Sequence, residues 1–164
     1  MPATYEPIAT TTLGSAAATV SFTSISGSFT DLILITNSAT GVNDIDVYVQ
    51  VNSDTGTNYS WTRITGNGTA AASSRSSNSG LGFRIGNMSG SNVGQNNCIV
   101  QFQNYSNTTT YKTILARGNN PSLLVEAYVG LWRSTSAITS MDIKTQSGTF
   151  STGSTFTLYG IKAA

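Results

Sequence analysis

Histidine is missing from this chain of 164 residues, and Cys98 is its only cysteine. Those two absences remove the Ser/His/Asp and Cys/His nucleophile systems, the usual zinc and copper ligand sets, and every disulfide within the chain. Charge is almost as scarce. Asp, Glu, Lys and Arg make up 9% of the residues and leave a net charge of +1, where an ordinary soluble domain carries roughly 25% charged residues. Solvent-facing positions must then fall mainly to Ser, Thr, Asn and Gly, which neither repel a neighbouring copy nor attract polyanions. Lys and Arg are scattered singly, so nucleic acid is not an expected partner. Long apolar runs are missing too: "LILI" (Leu32 to Ile35) is the longest strongly aliphatic one, far short of the roughly 20 residues of a membrane helix. No membrane partner is expected. The opening "MPATYEP" has neither the basic nor the apolar region of a signal peptide, and the expectation is folding in a cytoplasm.

What is present is a period of two. In "DIDVYVQVN" (Asp44 to Asn52), Ile45, Val47, Val49 and Val51 alternate with Asp46, Tyr48 and Gln50, the pattern of a half-buried strand. Weaker alternation marks "ATVSFTSI", "DLILITN", "NYSWTRIT", "LGFRIGN", "NCIVQFQNY", "YKTILARG", "LLVEAYVGLW", "ITSMDIKT" and "STFTLYGIK", which makes about ten short strands. Turn-forming clusters such as "NSDTGT", "YSNTTT" and "GNNP" separate them. An all-β antiparallel sandwich of jelly-roll type follows, as a single domain over residues 1–164. No segment keeps a helical period, although "RSTSAITS" (Arg133 to Ser140) has room for one helical turn. Residues 65–82, small, polar and punctuated by glycine, read as a long surface loop in which only Arg75 is charged. Residues 1–12, with Pro2 and Pro7 set against regular structure, read as an arm that orders on a partner, with Tyr5 and Pro7 as candidate contacts.

Few residues offer chemistry. Asp44, Asp46 and nearby Asn43 have the hard oxygens that calcium prefers, but they lack an EF-hand spacing, and a solvated strand face explains them. Five Asn-X-Ser/Thr triplets, at Asn58, Asn67, Asn87, Asn104 and Asn107, are what chance supplies in so polar a chain. In "LLVEAYVGLW" the alternation places Val125, Ala127, Val129 and Leu131 on one face and Glu126, Tyr128 and Trp132 on the other. A carboxylate between two aromatics suits a subunit interface or a partly buried face, and also a sugar. Hydrolysis would need a second carboxylate, and none can be assigned. No catalytic residue, metal or cofactor is expected.

The last strand poses a packing problem. Phe156 and Leu158 point one way and Tyr159 and Ile161 the other, so a monomer with the first pair in its core shows the second pair to water. Another copy of the chain or a larger assembly is the expected cover, and low charge makes close approach inexpensive in desolvation. Cys98 shares a strand face with Val100 and Phe102 and reads as a small core hydrophobe.

The stretches "TYEPIATTTLGSAAATVSFTSISGSFTDLIL" and "VGLWRSTSAITSMDIKTQSGTFSTGSTFTLYGIKAA" resemble small virion structural proteins of tailed phages, in which an opening strand pair and a closing G-S-T-F-T-L-Y-G-I-K recur. The resemblance covers both ends of the chain and leaves its middle unmatched. It implies a jelly roll, a homotrimer and a place on the virion surface. A short chain starting at Met1 without a fibre-forming repeat favours a capsid decoration or cement protein bound to the major capsid protein. The alternative is a tail-fibre or receptor-binding module that takes a glycan.

Overall fold

The computed structural model describes residues 4–42, 44–90 and 95–162. They form twelve strands and no helix: β1 (Tyr5–Thr12), β2 (Thr19–Phe22), β3 (Asp31–Ser38), β4 (Ile45–Val51), β5 (Tyr59–Gly66), β6 (Ala71–Ser79), β7 (Phe83–Met88), β8 (Asn96–Gln103), β9 (Lys112–Asn120), β10 (Leu124–Trp132), β11 (Met141–Thr145) and β12 (Thr155–Ile161). An eight-stranded sheet runs in the order β1-β12-β3-β8-β9-β10-β5-β6, and a four-stranded sheet in the order β2-β11-β4-β7. Every pairing between these strands is antiparallel. The expected all-β sandwich is what forms. Its unequal sheets do not reproduce the eight-strand set of a jelly roll, so that finer description is not carried by the strand order.

One continuous core lies between the sheets. The large sheet contributes Leu32, Leu34, Val100, Phe102, Ile114, Phe156 and Leu158, and the small sheet contributes Val20, Val47, Val49, Phe83, Ile85 and Ile143. Phe150 and Phe156 meet edge to face at 4.9 Å, and Tyr59 meets Phe83 likewise at 5.2 Å, arrangements that the ring quadrupoles favour. Cys98 is buried as expected. Gly160 interrupts the aromatic and aliphatic run of β12 for a steric reason: a side chain there would overlap the Phe29 ring.

Three expectations change. Residues 5–12 of the expected arm are strand β1, paired with β12 from Tyr5↔Ile161 to Thr12↔Thr155. Pro7 is compatible with this because β1 is an edge strand, where a missing N–H leaves no ladder bond broken, and the register shifts between Pro7 and Ala9. Pro2 lies outside the described residues, as does Asn43. Within the expected loop 65–82, residues 71–79 are strand β6, paired along β5. Its Ser and Ala side chains carry no hydrophobic period, so only the backbone ladder and the hairpin define it. Asn67 closes that hairpin by accepting from the amides of Thr69 and Ala70 at 3.0 and 2.7 Å, an Asx turn. Residues 133–140 hold no helical turn. Asn52 Oδ1 anchors the end of that segment by accepting from the amides of Thr139 and Ser140.

Candidate functional site: the outer face of the large sheet

Strand β10 decides what each face of the large sheet can do. Its alternation is as expected, but the exposed side is the opposite one. Glu126, Tyr128 and Trp132 are 5%, 2% and 2% exposed and point between the sheets, so they are neither interface nor sugar-binding residues of this chain. The reason is that the polar atoms of Glu126 and Trp132 find partners inside. Glu126 Oε1 accepts from Arg63 on β5 at 2.9 Å, and Oε2 accepts from the Asn87 amide on β7 at 2.8 Å. Trp132 stacks on Tyr59 and donates its indole N–H to Asp54 at 2.6 Å. Tyr128 packs edge to face with Trp61, and burial first, then the Glu126 charge, raises the pKa of its hydroxyl. Among the described residues no group of three or more Cys, Asp or Glu side chains could hold a metal ion. Asp44 and Asp46 are occupied by Asn87 Nδ2, which donates to both, and Asp46 also pairs with Arg84.

The other side of β10 faces water. Val125 and Val129 are 62% and 53% exposed, and Ile64 on β5 is 61% exposed. The register lines these residues up with outward neighbours. One row across the sheet runs Ile35, Ile99, Arg117, Ala127, Ile64, Ser73, and the next runs Tyr159, Ile33, Gln101, Leu115, Val129, Thr62, Arg75. Ala127 is the small member of its row. Around it a depression of about 360 Å³ opens, lined by Ile64, Ile99, Leu115 and Val129. A second, of about 650 Å³, extends toward β6 between Ile64, Val125, Ala71 and Ser73. A contiguous apolar patch of this kind is what monomeric surfaces avoid and binding surfaces display. On β8, β9, β10, β5 and β6 the only outward charges are Arg117 and Arg75. The ion pairs among the described residues belong instead to Arg63, Arg84 and Lys162.

Four of the expected interface residues do come together. Tyr5 pairs with Ile161 and Pro7 with Tyr159 across β1 and β12, at one corner of the same outer face. Tyr159 and Ile161 are half-buried by these neighbours while Phe156 and Leu158 are fully buried, the separation of faces read from the sequence. The apolar rows themselves escaped that reading. The outward side of β10 is as apolar as a core face, and alternation alone does not say which side the second sheet covers. Glu126 and Arg63, diagonal to each other on adjacent strands, were the available signal, because two opposite charges so placed satisfy each other in the interior. No protein-family model matches the chain, and neither does any curated protein.

Proposed function

We propose that this chain is a structural protein of a tailed-phage virion, a decoration protein that seats the outer face of its large sheet on the capsid shell. One observation carries the binding part of the reading: an apolar surface centred on Ala127, flanked by exposed Ile64, Leu115, Val125 and Val129, which the chain's own second sheet does not cover. The scarcity of charge supports it, since little desolvation penalty opposes burial of such a surface. The likeness of the two chain ends to small virion proteins supports the virion, with the major capsid protein as the partner. The corner formed by Tyr5, Pro7, Tyr159 and Ile161 suits a contact between copies in a homotrimer. The function is mechanical. Many modest contacts repeated by symmetry bridge neighbouring shell subunits and resist internal pressure. Glycan recognition has no comparable support, because the aromatic pair that suggested it is buried.

The test is co-sedimentation of the protein with capsids lacking it, alongside localisation in the virion by cryo-electron microscopy. Val129→Lys is expected to fold normally and to lose capsid binding. Undiminished binding by that variant, or density for the chain away from the shell, would exclude the proposal.

A further inference from the structure

We propose that the free edge of β6 is a strand-addition site for an extended segment of a partner protein that carries apolar residues and a carboxylate at alternate positions, on one face of the strand. The inference rests on reading this molecule as a binding protein, and it uses the backbone edge of β6 with the margin of the outer face beside it, away from Val129.

The sheet edges differ in how they are protected. At β1 the edge is blunted by Pro7 and by the irregularity that follows it. Strand β2 has only four residues. Strand β7 is almost wholly buried. Strand β6 has nine residues, mostly exposed on both faces, with no proline, no lysine and a single charge. Natural sheets guard their edges with these missing devices, and an edge without them is a template for another strand. The Asn67 amide donates to the Ala70 carbonyl, so strict alternation turns residues 72, 74 and 76 toward β5 and leaves the amides and carbonyls of Ala71, Ser73 and Arg75 directed outward.

The occupant follows from what surrounds that edge. The depression between Ile64, Val125, Ala71 and Ser73 adjoins it and receives apolar side chains from an added strand. Arg75 is exposed and is the only charge on β6. A second copy of β6 does not complement it. Centred antiparallel pairing sets Arg75 beside Arg75, and like charges directly opposed destabilise a ladder; shifted registers still leave it without an acid, because β6 contains none. A carboxylate on a foreign strand supplies the missing partner.

The experiment uses two fluorescein-labelled nonapeptides of threonine in which alternate positions, on one face, carry two valines followed by a glutamate, the second peptide having lysine in place of that glutamate. Their anisotropy is titrated with the intact protein. The glutamate peptide is expected to bind saturably and at least about fivefold more tightly than its lysine twin. Ser73→Pro removes an outward amide without touching the β5 ladder, and is expected to abolish binding with an unchanged melting temperature. Arg75→Glu leaves the backbone intact and reverses the preference between the peptides, which decides the matter if Ser73→Pro proves unstable. Absence of saturable binding, equal binding of both peptides, or full binding by a folded Ser73→Pro protein overturns the proposal. A wild-type dimer that Ser73→Pro dissociates would assign the edge to a second copy and overturn the foreign partner. Val129→Lys separates the two readings, since it is expected to lose capsid binding and keep peptide binding.

Discussion

Glu126 on β10 and Arg63 on β5 meet at 2.9 Å inside the sandwich, and the second carboxylate oxygen takes the Asn87 amide of the opposite sheet. One side chain thus ties the two sheets together at their polar end. Replacing it with alanine leaves a buried amide unpaired and a mostly buried guanidinium without its counter-charge. Glu126→Ala is expected to lower unfolding free energy by about 2–4 kcal/mol in urea titrations, whereas Glu126→Gln, which keeps an acceptor for the amide, loses less. Equal stability of the wild-type and alanine proteins would show that the pair contributes nothing.

The same pair explains what the sequence could and could not reveal. Alternation located β4 and β10, and turn clusters located most of the connections, because those signals are local. The side on which the second sheet packs is not local. It depends on whether Glu126 finds Arg63 and Asn87 across strands remote in sequence. Likewise β6 has no side-chain period to detect, and its existence depends on the hairpin at Asn67 and on the β5 ladder. Pro7 pointed away from a strand only while β1's place at the edge was unknown.

The outer face should tolerate charge as a folding matter. Val125→Lys and Val129→Lys are expected to change unfolding free energy by no more than about 0.5 kcal/mol, because both side chains already stand in water. Val100→Ala, on the opposite face, should cost about 2–4 kcal/mol. Chemical melts of the three variants check this, and a large loss in either lysine variant would mean that the face is part of the monomer's packing.

Cys98 should be chemically silent in the folded protein. Burial, and next the Glu126 charge, push its thiol up to about 12, and its sulfur contacts the Ile85 carbonyl in the core. Since the thiolate is the reactive form, Ellman's reagent at pH 8 is expected to react only at the rate of unfolding. Rapid modification of native protein would refute that, and reductant should leave the melting temperature unchanged.

Acid should weaken the molecule through Asp54. Burial alone would raise its carboxyl, but hydrogen bonds from the Trp132 indole, Asn58 and the Gly56 amide outweigh that and hold it below the usual carboxylate value. A folded pKa below the unfolded one gives stability that is present above the unfolded value, about 3.9, and lost as pH falls through the folded value. Asp54→Asn is therefore expected to be less stable at pH 7 and to lose less stability than wild type below pH about 4. Parallel acid curves for the two proteins would remove Asp54 from the account.

The closing strand gives the sharpest separation of folding from assembly. Phe156 and Leu158 have no contact with solvent and belong to the continuous core, so cutting either to alanine should cost about 2–5 kcal/mol of folding stability. Tyr159 and Ile161 lie on the other face, half covered by Pro7, Tyr5, Ile33 and Asp31 across the adjacent ladders. Their remaining surface is available to a neighbouring copy. Tyr159→Ser with Ile161→Thr is expected to lower the melting temperature only slightly and, if the proposed homotrimer forms, to shift it toward monomer in sedimentation velocity. The two sets of variants then move in different measurements. If the Tyr159/Ile161 protein unfolds while its assembly state persists, that corner serves the monomer alone, and subunit contact must be sought on the apolar rows around Ala127.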